Sequence, residues 1–467
     1  TNVVGCRRSL CDTAPQRLIF GFAWASICCF CRGASTFWLA VCCKKSTGYA
    51  VNTTYIYFMD FQQSRTITTL HDLSLRKLAQ KEADLRVYSG YRPMELVLPC
   101  LYSEIAGPAL GPIVDHLADV DYLSHITIGL DKATKHEFQD AKRFFGRLKT
   151  PHTVIWNDGP RITELRESLE DIGLQMGEQG KGRNVWTCIG HVIAKGKAEV
   201  VGFHDCDILT YDRDLLANLF LPLANPNFEF EFCKGYYARV ADGKLNGRVV
   251  RLLMAPLLAS LRATLGASDY LDYMESFKYP LSGEFSLRKS LLRDLRVPFD
   301  WGLEVGLLSE VHRNQATNRI CQAEICGIYD HKHQPLSIEN VESGLSKMST
   351  DIVKSLLRKL AIQGYSFSNE TLRSIKASYY RFALDAIDKY KADAAYNALD
   401  IDLNSEEKAV EMFAENVMRA GESYAYQPMA IPFMPTWSRV ASACPDFLYQ
   451  LRVATQVDNG LQRYRAA

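Results

Sequence analysis

At 467 residues, with 47% apolar and 23% charged side chains, the chain has the composition of a globular protein of two or three domains. Its formal net charge of +1 gives no electrostatic ground for a nucleic acid or membrane surface as partner, so any anion site has to be local. Seven of the 14 cysteines fall in the first 58 residues and the rest are scattered without paired C-x-x-C units, which excludes a disulfide framework and fits a reducing cytoplasm.

The first segment stands apart. Its apolar runs at 18–31 and 37–43 are separated by Arg32, and each is shorter than a membrane-spanning helix. A signal peptide led by Arg7, Arg8 and Arg17 is one reading, and an anchor with Arg32 at its middle is energetically poor. The first methionine of the chain is Met59. The expectation is therefore that residues 1–58 are a non-native or upstream-translated segment, that the natural protein begins at Met59, and that it has no membrane span.

Residues 59–90, polar with periodic leucines, read as a helical lead-in. Residues 94–99 form an apolar run closed by Pro99 and read as a buried strand. A helix is expected at 109–117, a strand at 125–130 ending on Asp131, a helix at 131–148 and a strand at 153–156. Helices follow at 163–176 and 184–194, then a strand at 199–203. This alternation predicts a parallel α/β sheet of the Rossmann-like nucleotide-binding type. Residues 228–238 alternate aromatic and charged side chains, as a strand covered on one face does. Beyond this region, 351–363, 369–390 and 405–418 have helical periodicity with charged outer faces, so 337–467 is expected to be a helical C-terminal region for packing or self-association.

Asp205-Cys206-Asp207 follows the strand at 199–203, which places two carboxylates at a sheet's carboxyl edge, where open α/β sheets bind ligands. Hard oxygen donors suit Mg²⁺ or Mn²⁺, ions that keep coordination sites for substrate phosphates. A solvated acidic turn is the competing reading of this motif. Gly180-Lys181-Gly182 lets a lysine and backbone N–H groups approach a phosphate, although the Walker spacing is absent. Gly247-Arg248 precedes an apolar helical run, where an arginine can hold a phosphate or carboxylate. Pro280-Leu281-Ser282-Gly283-Glu284 is an irregular loop, and Glu304 is a lone acid in apolar company that calls for a partner or a function. Asp330-His331-Lys332-His333 reads equally as a ligand set or as an exposed polar loop.

In this order the segments resemble the retaining glucosyl-3-phosphoglycerate synthases and their mannosyl-3-phosphoglycerate relatives. The further markers are Leu98-Pro99-Cys100-Leu101-Tyr102-Ser103-Glu104, Gly302-Leu303-Glu304-Val305-Gly306 and Pro335-Leu336 after His331. The resemblance implies a GT-A glycosyltransferase domain over about 91–336 and a metal-dependent transfer of a hexose, glucose above all, from a UDP- or GDP-sugar to a small anionic acceptor. It implies that Pro99, Leu101, Glu104 and Asp131 line the nucleoside pocket and that Lys181 approaches the diphosphate. Asp205 would serve the ribose and metal site, with Asp207 and His331 as metal ligands. Leu281, Ser282 and Glu304 would face the sugar and the reaction centre, and Gly247, Arg248, Lys332 and His333 the acceptor. A cytoplasmic homodimer is the family expectation.

Two positions depart from the pattern. Val250 stands where the family has threonine, and Lys332-His333-Gln334 replaces Arg-Asn-Arg. The acceptor is thus expected to be 3-phosphoglycerate, glycerate or another small hydroxy acid. The competing classes are a sugar nucleotidyltransferase, whose Gly- and Arg-rich phosphate loop is not visible near Pro99, a His204-Asp205 phosphohydrolase, and a non-catalytic nucleotide-sugar-binding protein. A chain started at Met59 is expected to be soluble and active; insoluble, inactive material would refute that start.

Overall fold

A computed structural model describes residues 63, 66–332, 340–430 and 432–461. Residues 1–58, most of the start of the lead-in and His333 lie outside the described residues. The elements run β1 Thr68–Leu70, α1 Leu78–Ser89, β2 Met94–Leu101, α2 Leu110–Ala118, β3 Leu123–Asp131, α3 Lys135–Phe145 and β4 His152–Trp156. They continue with α4 Pro160–Asp171, α5 Lys181–Lys195, β5 Val200–Phe203, α6 Arg213–Ala224, β6 Phe232–Ala241 and β7 Lys244–Leu245. A π-helical turn, Val249–Met254, leads into α7 Ala255–Leu265, α8 Asp269–Ser276, β8 Phe285–Arg288, α9 Lys289–Leu292, α10 Leu303–Asn314 and β9 Ile320–Tyr329. Five helices close the described chain: α11 Gly344–Ile362, α12 Asn369–Tyr396, α13 Leu403–Tyr426, α14 Trp437–Ala443 and α15 Phe447–Asp458.

The strands form one sheet in the order β1-β9-β6-β8-β5-β2-β3-β4, with β7 hairpinned onto β6. The expected parallel α/β sheet is present, and β8 adds an antiparallel strand between β5 and β6. Phe285–Arg288 follows an irregular loop and, unlike the equally short β5, is not an apolar run that the sequence marks as a strand. The lead-in is helical only from Leu78, where α1 begins. Thr68–Leu70 is a strand parallel to β9, and Leu73 and Leu75 are exposed rather than on a helical face. The strand expected at 228–238 begins at Phe232, after Phe228 and Phe230 have met edge to face in the preceding loop.

Alternation along the strands builds two cores. On β2, Leu96 and Leu98 join the layer of α2, α3 and α6, while Val97 faces the layer of α5, α7 and the C-terminal helices. Pro99 is tolerated within β2 because the β5 ladder ends at Val97, leaving that side of the strand free beyond it. No helix of the described residues is long and apolar enough to cross a membrane.

The C-terminal segment is stitched to α5. Trp437, fully buried, stacks on Trp186 with ring centroids 4.1 Å apart. Each indole N–H donates to a carbonyl of the other's segment, Trp186 to Pro435 at 2.8 Å and Trp437 to Trp186 at 3.1 Å. Phe299 and Met434 add main-chain bonds to Pro432 and Val297. Trp437→Ala removes a large buried ring and is expected to cost ~3–5 kcal/mol. A urea midpoint unchanged from the parent would show that this stack does not anchor the segment.

Candidate active site

The D-x-D lies where β5 runs out. After Phe203, His204 closes onto the Asp205 carbonyl at 2.8 Å, and the chain turns so that both acids sit above the sheet edge. Asp205 Oδ1 is 2.6 Å from Lys181 Nζ, and the same ammonium is 3.3 Å from Glu304 Oε1. Lys181 is the first residue of α5 and Glu304 lies in the first turn of α10, so two helix N-termini, with their free N–H groups, converge on this cluster. Burial lowers the Lys181 pKa, but the charges of Asp205 and Glu304 outweigh it and hold the ammonium above its ordinary range. Burial raises Asp205 in turn, and Lys181 overrides it to keep the carboxylate below its ordinary value.

On the other side of the turn, Asp207 Oδ2 is 3.5 Å from His331 Nδ1. Leu209 N–H donates to the Asp330 carbonyl at 2.8 Å, which draws the residues just past β9 against the D-x-D turn. Asp207 Oδ1 is buried and has no hydrogen-bond partner. Asp205 is engaged by Lys181, and among the described residues no group of three or more His, Cys, Asp or Glu side chains is gathered closely enough to hold a metal ion.

The loop at 280–284 presses on Asp205. A Cβ at Gly283 would press on the Asp205 carboxylate, so any other residue there has to displace that side chain. Ser282 is fully buried, and its hydroxyl donates to the Glu284 carbonyl at 2.9 Å. Its side chain is thus committed to the turn, and Leu281 beside it is half-buried.

Behind the loop are side chains to which the sequence assigned no role. Lys234, fully buried on β6, donates to the Ser282 carbonyl at 2.6 Å. Burial pulls its pKa down to about 8 against the opposing charges of Glu304 and Glu284. Glu284 accepts from Tyr237 at 2.8 Å and Tyr329 at 2.7 Å, and these rings stack 3.7 Å apart. Burial, and then Asp205, push the Glu284 carboxyl up. The available signal was Lys234 itself, since a lysine inside an apolar strand needs a partner.

Pro99 and Leu101 occupy the end of β2, and Glu104 lies in the 3₁₀ turn Tyr102–Ala106, 3.3 Å from Lys332 Nζ. Asp131, at the end of the neighbouring β3, accepts from Asn157 at 2.7 Å. Gly247 turns at φ +77°, and Arg248 reaches the C-terminal α13, donating to Glu406 at 2.7 Å and Ser405 at 3.0 Å. A recess of about 630 Å³ between Thr69, Arg262, Glu275 and Gln322 contains none of these side chains, and its Arg262 is already paired with Asp272 and Glu275.

A mixed α/β sheet with an acid–lysine–acid cluster and an Asp-x-Asp turn at its carboxyl edge fits the glycosyltransferase class that the sequence resemblance implies. No family model matches the chain. It is 42% identical over 400 residues to the glucosyl-3-phosphoglycerate synthase of Persephonella marina, covering 86% of this chain and 99% of that protein. It is 39% identical over 406 residues to the enzyme of the same name from Methanococcoides burtonii, covering 86% and 98%. The chain belongs to the glucosyl-3-phosphoglycerate synthase family. A crystal structure of the Mycobacterium tuberculosis glucosyl-3-phosphoglycerate synthase with phosphoglyceric acid matches at 22% identity and a TM-score of 0.46, over 65% of this chain and 90% of that one.

Burial pushes Asp131 up to about 6 from its ordinary 3.8. Between those values the folded state binds more protons than the unfolded chain, so this group's stability contribution is lost as pH rises through the window. Asp131→Asn is expected to gain on the order of 2–3 kcal/mol relative to the parent between pH 4 and pH 7. A difference in unfolding free energy that stays flat across that range would refute it.

Proposed function

We propose that the enzyme transfers glucose from a nucleoside-diphosphate glucose to a hydroxyl of 3-phosphoglycerate, with retention at the anomeric carbon. The observation that carries this reading is the Lys181 ammonium bridging Asp205 and Glu304 beside the D-x-D, in a chain whose relatives at 42% and 39% identity bear that enzyme's name. The bond from the anomeric carbon to the diphosphate oxygen breaks, a bond to the acceptor oxygen forms, and the acceptor's proton leaves to the departing phosphate. Glu304 is occupied by Lys181, which supports an orienting role for it and a front-face attack, without a covalent carboxylate intermediate.

In this reading Lys181 turns from Asp205 toward the diphosphate and offsets its growing charge. Pro99, Leu101, Glu104 and Asp131 hold the nucleoside, with Asp205 at the ribose. Leu281 and the Ser282 main chain, fixed by Lys234, bound the sugar. Gly247, Arg248, Lys332 and His333 attract the acceptor's phosphate and carboxylate. Asp207 and His331 fit a divalent ion: one carboxylate oxygen is buried without a hydrogen-bond partner and an imidazole nitrogen lies beside the other. Bound there with Asp205 nearby, Mg²⁺ or Mn²⁺ supplies Lewis-acid neutralisation of the leaving diphosphate.

Free thiols at all seven described cysteines support a cytoplasmic location. A homodimer is part of the same reading.

The test crosses UDP- and GDP-glucose and GDP-mannose with 3-phosphoglycerate and glycerate in Mg²⁺ or Mn²⁺, reading nucleoside diphosphate release against acceptor-free controls. Release with a glucose donor and 3-phosphoglycerate is expected, and release with glycerate alone would overturn the acceptor. Asp207→Ala is expected to weaken Mn²⁺ binding at least about tenfold by calorimetry; unaltered binding would remove Asp207 from the metal site.

A further inference from the structure

The acceptor loop does not end at Arg248. Arg248 Nε donates to Glu406 Oε1 at 2.7 Å, and the other carboxylate oxygen lies 2.8 Å from Arg251 Nη1. Arg251, almost fully buried, also donates to the Asn246 and Leu245 carbonyls at 2.7 and 3.3 Å, and its guanidinium stacks over the Tyr390 ring. Glu406 is itself buried, in the first turn of α13, where the positive end of the helix favours a carboxylate. The same helix start is pinned to the β6–β7 hairpin, since Asp400 N–H donates to the Gly243 carbonyl at 2.8 Å.

Two guanidiniums therefore share one carboxylate, and the cluster carries an excess positive charge. Arg251 donates to the loop carbonyls and faces Glu406 as an ion pair without a hydrogen bond. Arg248 keeps 34% of its side chain exposed, and among the described residues its Nη1 has no hydrogen bond. A free arginine samples many rotamers, and ordering it on binding costs affinity. Glu406 and Ser405 have already ordered this one.

We infer that Glu406, with Ser405, orients Arg248 for the acceptor's anionic group, so that the C-terminal helical region takes part in acceptor recognition. Glu406 and Ser405 are positioning residues: they act through Arg248 and touch no substrate. This rests on the reading of Arg248 as an acceptor ligand. The carboxylate subtracts little from the attraction, because Arg251 shares its charge.

The test is steady-state kinetics on the full chain, with 3-phosphoglycerate varied at saturating nucleotide glucose, for Arg248→Ala, Glu406→Gln, the double variant and Ser405→Ala. Arg248→Ala is expected to raise the acceptor KM about tenfold or more and to leave the donor KM alone. Glu406→Gln is expected to raise it about three- to tenfold in the parent but not in the Arg248→Ala background. An equal rise in both backgrounds would reveal a merely structural role, and no rise or a fall in the parent would overturn the inference. Ser405→Ala leaves both ion pairs intact and is expected to raise the acceptor KM about twofold. It carries the test if Glu406→Gln fails to fold, and an unmoved KM then overturns the inference. An unchanged acceptor KM in Arg248→Ala overturns the reading of Arg248 itself, a result distinct from failure at Glu406 alone.

Discussion

One ammonium holds the candidate site in register. Lys181 bridges Asp205 from the β5 turn and Glu304 from α10, three segments that share no other feature of sequence. Without a cation between them, the two carboxylates, with Glu284 behind, would repel in a poorly solvated pocket. Lys234 adds a second positive charge from beneath, and three acids then face two lysines.

The support for this cluster comes from distant parts of the chain. The Trp186–Trp437 stack fixes the helix that begins with Lys181, and Lys234 fixes the loop that Gly283 brings against Asp205. Rigid placement from behind is what lets a few charged side chains hold a productive geometry. The C-terminal helices extend the same logic to Arg248 and Arg251, which share the Glu406 carboxylate.

The parallel half of the sheet was legible because strands β2, β3, β4 and β5 are short apolar runs separated by helices of ordinary length. Strands β1, β7 and β8 were not, since Thr68–Leu70, Lys244–Leu245 and Phe285–Arg288 are not apolar runs, and β1 and β8 pair with strands far away in sequence. The Asp205, Asp207, Lys181 and Glu304 positions could be read from spacing and from resemblance to a family. Which of them pair could not. Lys181 with Glu304, Glu104 with Lys332 and Arg248 with Glu406 join residues more than a hundred positions apart, and only the tertiary fold sets those distances. Glu284 was visible as a letter in a motif, but its two tyrosine donors come from β6 and β9 and carried no local signal.

The strand order also dictates when activity can arise during synthesis. Strands β2 to β5 can assemble from a contiguous stretch, but β8 has to enter between β5 and β6 after both have emerged. The edge strand β1 waits longer still, for β9, across a loop of some 250 residues. His331 follows β9, so the two sides of the D-x-D turn meet only once nearly the whole sheet is closed. A nascent or prematurely ended chain can carry the Asp-x-Asp and still lack a formed centre, so interrupted translation yields silent fragments rather than half-active ones.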